Sequence, residues 1–271
     1  LNKDNIDIVY FTSPSDLYKQ IRNIPFIFTV FDLNFLSYNY FPELSQDNIF
    51  LNRNKLYYAS LNRAYKIIVC SKILKKQIIQ SYNIPSDRIE IFHYLPNKKN
   101  LNEKHNLKYS EKYNLNSKYI FYPATFYPHK NHMYVLKVLK YINDNYKKNI
   151  IVNFVGSNPG IYGNLNLLKK IVKEYKLTKN VIFNDFVEDE AIPYFYKNAI
   201  CLLMPSFTGP NNIPPLEAII YDCPVLYSDL QNFHEQFNKL VEYINLNDPS
   251  DAAKKIISLD SSKLKRSKII K

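Results

Sequence analysis

The stretch from Leu202 to Asp229 has the residue types of an anion-binding site. A buried apolar run is followed by a polar loop, and Pro214 and Pro215 then open a predicted helix, because proline fits a first turn whose N–H groups lack partners. We expect Glu217 in that first turn, and an extended apolar run after the helix. A strand, a loop and a helix N-terminus in this order present free N–H groups and partial positive charge to a phosphate.

Length and composition favour a folded protein of two ordinary domains. The chain has 271 residues, of which 46% are apolar, enough for a core in each domain. No apolar run reaches the ~20 residues that a membrane span needs. The polar start at Leu1 predicts no signal peptide and favours a fragment or a trimmed chain. We expect a cytoplasmic protein.

The formal net charge of +12 is spread along the chain, with no basic tract apart from residues 263–271. A nucleic-acid-binding protein more often clusters its positive charge, so we expect no nucleic-acid partner. A solvated lysine-rich surface is the commoner explanation. The alternative is attraction to anionic substrates, or peripheral contact with an anionic membrane.

Three widely spaced cysteines lie in apolar surroundings, which predicts buried free thiols in a reducing compartment: Cys70, Cys201 and Cys223. No pair has metal-ligand spacing, and the histidines do not cluster with carboxylates. We therefore expect no metal site and no cofactor.

Apolar β-forming runs alternate with helical patterns, which predicts parallel sheets with crossover helices. The predicted strands are Ile6–Phe11, Ile24–Phe31, Tyr65–Cys70, Arg88–Phe92, Lys118–Tyr122, Ile150–Val155, Val181–Phe183 and Ile200–Met204. The predicted helices are Leu51–Ala64, Lys72–Tyr82 with Ser71 as its cap, His132–Tyr146, Leu165–Tyr175, Glu188–Lys197 and Ser250–Leu259. An Asn- and Lys-rich break divides the series into an N-terminal domain (1–100), a linker (101–117) and a C-terminal domain (118–271). Since ligands bind at the carboxyl ends of parallel strands, the loops there predict one common site.

Four ordered segments carry a family resemblance: PSFTGPNNIPPLEAIIYDCPVLYSD, YPATFYPHKNH, IPFIFTVFDLNFLSYNYFPEL and AYKIIVCSKILKKQI. Together they resemble the GT-B glycosyltransferases of family 4 type. The resemblance implies an α/β fold of two Rossmann-like domains, the N-terminal one incomplete at its start. The C-terminal domain would bind the nucleotide sugar, and the N-terminal domain the acceptor.

The resemblance also assigns roles to residues. Lys130 matches the lysine that contacts the donor diphosphate, and a surface lysine is the plain alternative. Glu217 matches the glutamate that accepts hydrogen bonds from the ribose hydroxyls, although the helix dipole alone also favours a glutamate in a first turn. The remaining donor-side positions are Thr125, Asn131, Phe186, Val187, Gly209, Asn212 and Ile213.

Three positions depart from the family pattern. Gly209 stands where the first motif glutamate is expected, Thr125 where an arginine contacts the diphosphate, and Phe31 where a histidine is common. Asp32 is a weak acceptor-side candidate, because a turn aspartate explains it equally well.

The function implied is retaining transfer of a sugar, independent of metal, from a nucleotide diphosphate sugar to a glycan or lipid-linked acceptor. Synthesis of a cell-surface polysaccharide is the expected setting. The alternative is a non-catalytic nucleotide-sugar-binding or partner subunit, which the three departures favour and the retained Lys130 and Glu217 oppose.

Overall fold

The computed structural model describes residues 5–93, 95–209 and 212–261. The basic tract at 263–271 lies outside the described residues. By internal contacts the chain divides into two compact units. The first comprises Leu1–Tyr94 with Thr208–Asn211, and the second comprises Leu95–Phe207 with Asn212–Lys271.

The first unit is a four-stranded parallel sheet in the order β1-β2-β3-β4, with helices between the strands. Its elements are β1 (Val9–Phe11), β2 (Phe26–Thr29), α1 (Asn34–Ser37), α2 (Pro42–Ser45), α3 (Ile49–Arg63), β3 (Lys66–Val69), α4 (Lys72–Tyr82) and β4 (Ile89–Ile91). Aromatic rings fill its core, where Phe35 stacks on Tyr57 at 5.8 Å between ring centroids. The predicted cap of α4 is confirmed, because the Ser71 hydroxyl accepts a hydrogen bond from the Leu74 N–H at 3.1 Å.

The second unit is a six-stranded parallel sheet in the order β10-β9-β8-β5-β6-β7. Its strands are β5 (Tyr119–Pro123), β6 (Ile151–Val155), β7 (Val181–Asn184), β8 (Cys201–Met204), β9 (Val225–Ser228) and β10 (Glu242–Ile244). Its helices are α5 (Glu103–Tyr113), α6 (His132–Tyr146), α7 (Leu165–Glu174), α8 (Ile192–Asn198), α9 (Ile213–Ile220), α10 (Gln231–Phe237) and α11 (Pro249–Ser261).

Strands β5 and β8 lie side by side at the centre of this sheet. From them the strand order runs in opposite directions, through β6 and β7 on one side and through β9 and β10 on the other, so the order reverses between β5 and β8. Strands β8 and β9 are buried at every position, as expected for central strands covered on both faces. The crevice outside the carboxyl ends of strands at such a reversal is where open α/β sheets bind ligands. The loops after β5 and β8 therefore flank the expected binding position.

The segment that we expected to be a linker, 101–117, instead contains helix α5. Its signal in the sequence is weak because the helix buries only Tyr109 and Ser110. Tyr109 packs against Tyr194 of α8, with ring centroids 5.5 Å apart. The Tyr194 hydroxyl accepts a hydrogen bond from the Asn102 N–H at 3.0 Å. The helix is thus part of the second unit.

The sequence patterns also failed to predict several short elements. Strand β10 and helix α10 were not predicted, and neither were the short helices α1 and α2. The three cysteines are buried and form no disulfide among the described residues, as predicted. Among the described residues, no helix is long and apolar enough to cross a membrane.

Gly156 lets the segments that follow β5 and β6 approach closely. A Cβ atom at this position would lie 2.1 Å from the Ala124 carbonyl oxygen. We predict that Gly156→Ala lowers the free energy of unfolding of the second unit by about 3 kcal/mol, because backbone must move. Urea unfolding followed by circular dichroism measures this change.

The matched control is Gly160→Ala, in a loop of the same unit. Nothing lies within 4 Å of a Cβ there, but φ is +69°, so the backbone strain costs only about 1 kcal/mol. An equal loss of stability in both variants would contradict the close approach described for Gly156.

Candidate functional site

Hydrogen bonds join the loops that follow β5 and β8. The Tyr122 hydroxyl, at the end of β5, donates to the Lys130 carbonyl at 2.5 Å and lies 3.1 Å from the Ser206 hydroxyl. The Ser228 hydroxyl donates to the Ser206 carbonyl at 2.7 Å. Burial raises the pKa of Tyr122, which therefore remains a donor. The two loops are held as one surface at the reversal of the strand order.

Lys130 lies at the end of a short 3₁₀ turn, Pro128–Lys130, just before α6. Asn131 follows with φ of 57°, a left-handed conformation that asparagine tolerates better than most residues. The Phe207 N–H donates to the His129 carbonyl at 2.9 Å, which adds a second link between the two loops. Lys130 and Asn131 are both half-buried.

His132, the first residue of α6, lies under this loop and is fully buried. Its ring centroid lies 4.8 Å from those of Tyr122 and Phe126. Its Nε2 lies 3.3 Å from the Ala124 carbonyl oxygen, and its Nδ1 has no hydrogen-bond partner among the described residues. Burial lowers the pKa of His132 to about 3, so the ring is neutral.

The start of α9 faces the same end of the sheet as the loop after β8. As predicted, Pro214 and Pro215 lie in its first turn. Neither proline has an N–H, so the backbone donors at this end are on Asn212 and Ile213. The buried Asn212 side chain donates to the Tyr227 hydroxyl, whereas Ile213 is 43% exposed. Asn212 can therefore offer a ligand only its backbone, because its side chain is already bonded.

We had predicted Glu217 in the first turn of α9, and this was wrong. It is the fifth residue of the helix, because the helix begins at Ile213. The helix dipole acts mainly within the first turn, so this alternative explanation of the glutamate is weakened. Its Oε2 accepts a hydrogen bond from the Tyr196 hydroxyl at 2.8 Å.

The other donor-side candidates differ in exposure. The half-buried Thr125 accepts a hydrogen bond from the Tyr127 N–H at its carbonyl, at 2.7 Å. Phe186, after β7, is 80% exposed, whereas the neighbouring Val187 is buried in the core. Phe186 therefore offers an aromatic face to solvent at the carboxyl edge of the sheet, and Val187 offers only its backbone.

Gly209 and Asp32 belong to the first unit by their contacts. Gly209 has φ of 135°, a conformation that residues with a side chain rarely adopt. A glutamate would be strained on this backbone. Asp32 Oδ1 accepts from the Asn34 N–H at 2.9 Å and pairs with Arg53 at 3.0 Å. These bonds account for Asp32 structurally.

The structure adds Tyr122, Ser206 and Tyr196 to the site residues expected from sequence. A tyrosine near the end of a buried strand and a serine two residues after one were signals for the first two. Tyr196 gave no such signal, because its helix is short and its partner lies 21 residues away. No group of three or more His, Cys, Asp or Glu side chains suits a metal ion among the described residues.

We predict that Tyr122→Phe frees the loop over residues 126–131, because the Lys130 carbonyl loses its donor. One hydrogen bond in a buried site contributes about 1.4 kcal/mol, so amide hydrogen exchange in the loop should rise about tenfold. Tyr134→Phe is the matched control, since its hydroxyl donates to the Asn245 carbonyl at 2.9 Å, away from this loop. Equal exchange in the wild type and in Tyr122→Phe would contradict the link.

We predict that His132 makes the second unit sensitive to acid. Its folded pKa of about 3 lies below the unfolded value of about 6.5, so only the unfolded chain takes up the proton between these pH values. The contribution of the neutral His132 ring to stability is therefore fully present above about pH 6.5. The free energy of unfolding falls by about 1.4 kcal/mol per pH unit between about pH 6 and 4. In His132→Gln this slope should decrease by that amount, and urea unfolding at each pH measures it.

The exposed His105 on α5 provides the control for acid sensitivity. His105→Gln should keep the slope of the wild type. A slope that His132→Gln leaves unchanged would show that this ring is not the source.

Two family models match the chain. The model for glycosyl transferases group 1 matches residues 103–271, and the model for glycosyltransferase family 4 matches residues 1–94. The first match includes every candidate of the second unit, among them Lys130 and Glu217.

Among curated proteins, the chain is similar to the O-antigen chain mannosyltransferase RfbU of Salmonella typhimurium. They are 28% identical over 189 residues, which is 70% of this chain and 49% of RfbU. It is also 22% identical to the uncharacterized glycosyltransferase MJ1607 of Methanocaldococcus jannaschii, over 66% of this chain and 46% of that protein. The chain thus spans about half the length of these relatives.

Solved structures share the fold. HepE of Anabaena, in complex with UDP and glucose, superposes with a TM-score of 0.78 at 15% identity, over 97% of this chain and 71% of HepE. The sucrose-phosphate synthase of Thermosynechococcus elongatus gives a TM-score of 0.75 at 16% identity, over 99% and 70%. The fold is therefore that of the GT-B glycosyltransferases. Because the group 1 model alone matches more than half of the chain, the protein belongs to the group 1 glycosyl transferases.

Proposed function

We propose that this protein transfers a sugar from a nucleotide diphosphate sugar to a glycan or lipid-linked acceptor. The observation that carries the proposal is the joined pair of loops after β5 and β8, at the reversal of the strand order. A lysine follows β5 and a helix N-terminus follows β8, at the end of the sheet where this kind of fold binds ligands, and this supports the proposal.

The diphosphate is the proposed ligand of this surface. Lys130 supplies a positive charge, and the backbone N–H groups of Asn212 and Ile213 supply hydrogen-bond donors at the positive end of α9. The leaving group gains negative charge as the glycosidic bond to phosphate breaks. Donors and charges already aimed at it stabilise that charge more in the transition state than in the ground state.

The nucleoside is proposed to lie between α9 and the loop after β7. Glu217 accepts from the ribose hydroxyls, since a carboxylate can accept from two neighbouring groups. The exposed ring of Phe186 and the backbone of Val187 are proposed to pack against the base. Backbone contacts of this kind do not reveal which base is preferred.

We further propose retention of configuration, without a metal ion. No residue is assigned as a general base, and the departing phosphate takes the proton of the acceptor hydroxyl. Lys130 and the start of α9 perform the charge stabilisation that a divalent cation supplies in other transferases. Unchanged turnover in EDTA is the result expected from this part of the proposal.

The sugar itself is proposed to be a hexose. The relative RfbU is named as a mannosyltransferase of the O-antigen chain, and the HepE complex contains UDP and glucose. GDP-mannose and UDP-glucose are therefore the first donors to test. Synthesis of a cell-surface polysaccharide at the cytoplasmic side of a membrane fits a lipid-linked acceptor, and the net charge of +12 favours contact with anionic lipid.

A non-catalytic subunit is the second candidate, and Gly209 is the observation that favours it. Glycine at this position removes the carboxylate expected to hold the sugar, and a glutamate would be strained at the observed φ of 135°. Such a protein would bind the nucleotide and perform no transfer. Binding and turnover measured on the same preparation separate the two candidates.

We predict that Lys130→Ala weakens binding of UDP or GDP by about tenfold to a hundredfold, because a charge-assisted contact to phosphate is lost. Binding of the corresponding nucleoside should change less than about twofold, since it carries no phosphate. Isothermal titration calorimetry measures both. Lys137→Ala, which removes an exposed lysine of α6, is the matched control and should bind as the wild type does.

The complete test adds turnover of GDP-mannose and UDP-glucose. Binding with release of the nucleotide supports the transferase, and binding without any turnover supports the non-catalytic candidate. Absence of binding to either donor and either nucleotide would contradict both. An equal effect of Lys130→Ala on nucleoside and nucleotide would show that this lysine does not contact phosphate.

A further inference from the structure

The hydrogen bond between Tyr196 and Glu217 has no place in the family assignments made from the sequence. We propose that Tyr196 is a positioning residue that fixes one oxygen of Glu217, so that the carboxylate selects ribonucleotides over 2′-deoxyribonucleotides. This inference rests on the proposed function, because it requires a nucleotide bound beside Glu217.

The position of the Tyr196 hydroxyl is set by packing. The side chain is fully buried in α8, and its ring lies parallel to that of Tyr221, at 10° and 6.2 Å between centroids. The edge of the Phe121 ring on β5 contacts it at 5.0 Å and 78°. A ring confined from two sides has one position for its hydroxyl, and that hydroxyl lies 2.8 Å from Glu217 Oε2.

The direction of this hydrogen bond is fixed as well. Burial, and next the negative charge of Glu217, raise the pKa of Tyr196 well above that of an exposed tyrosine. The phenol therefore keeps its proton throughout the physiological range and donates it. Glu217 receives a permanent donor from the protein.

The other carboxylate oxygen of Glu217 is left for a ligand. Glu217 is half-buried, and no described residue bonds its Oε1. A carboxylate held at one oxygen has lost its rotation about the last bond, so its remaining lone pairs keep one direction. Two neighbouring hydroxyls of a ribose can then be bound without a further ordering cost.

The consequence is selectivity for ribose over 2′-deoxyribose in the nucleotide. A site built to accept a hydrogen bond from a hydroxyl rejects the analogue that lacks it, because a buried acceptor loses its partner. If the carboxylate could rotate freely, it would turn toward the remaining hydroxyl or to water and reject the analogue less. Tyr196 is thus expected to affect the preference between nucleotides and not only their affinity.

The test compares UDP with 2′-deoxy-UDP, and GDP with 2′-deoxy-GDP, by calorimetry on the full chain. We expect the wild type to bind the ribonucleotide about tenfold more tightly than its deoxy analogue. In Tyr196→Phe this ratio should fall to about twofold, while the affinity for the ribonucleotide falls about fivefold. Thermal unfolding of each variant verifies that it is folded.

Tyr119→Phe is the matched control, since it removes a hydroxyl from another fully buried tyrosine of the same unit. That hydroxyl donates to the Phe195 carbonyl at 2.7 Å and not to Glu217. Tyr119→Phe should lower stability and keep the tenfold ratio. If Tyr196→Phe does not fold, Tyr221→Leu provides a second variant. It removes the ring that stacks on Tyr196 but keeps the Tyr196 hydroxyl, and it should also lower the ratio.

A second comparison shows whether Tyr196 acts through Glu217. Glu217→Gln should itself reduce the ratio to about twofold, and adding Tyr196→Phe should then change it no further. A wild-type ratio in Tyr196→Phe, or an equal loss in Tyr119→Phe, would overturn the inference and leave the proposed function standing. A wild type that binds none of the four nucleotides would overturn the proposed function, and the inference with it.

Discussion

The hydrogen bond from the Tyr122 hydroxyl to the Lys130 carbonyl is the interaction on which the candidate site depends. It ties the loop after β5 to that strand, and the same hydroxyl contacts Ser206 in the loop after β8. The Ser228 hydroxyl, which donates to the Ser206 carbonyl, extends the network into β9. Such a bond is worth little in water, but an unpaired carbonyl at a buried position is costly. The hydrogen bond therefore fixes the backbone from which the Lys130 side chain extends.

The same logic governs the two ends of the proposed ligand. A buried tyrosine that cannot lose its proton lies behind each candidate: Tyr122 behind Lys130, and Tyr196 behind Glu217. Each phenol donates its one proton to a residue that we propose to contact the ligand. The aromatic core of the second unit thus does more than fill space, since its hydroxyls orient the polar surface above it. At these two positions, tyrosine has a structural role that phenylalanine could not perform, because the hydroxyl donates a hydrogen bond.

Local patterns were sufficient to predict much of the second unit. The apolar runs of β5, β6 and β8, and the proline-initiated α9, were visible because burial on both faces and proline chemistry leave direct marks in the sequence. Helix α5 was missed because only Tyr109 and Ser110 are buried in it, so its periodicity is weak. Glu217 was wrongly predicted to lie in the first turn of α9, because the helix already begins at Ile213, one residue before the prolines. The pairing of Tyr196 with Glu217 depends on tertiary packing between α8 and α9, which local patterns do not contain.

The central claim is that the joined loops and the start of α9 bind a nucleotide diphosphate. A crystal structure of the protein with UDP or GDP tests it most directly. We expect the β-phosphate within about 3 Å of Lys130 Nζ and of the Ile213 N–H, and the ribose hydroxyls at the same distance from the Glu217 carboxylate. A nucleotide bound elsewhere, with Lys130 and α9 in contact only with solvent, would contradict the account.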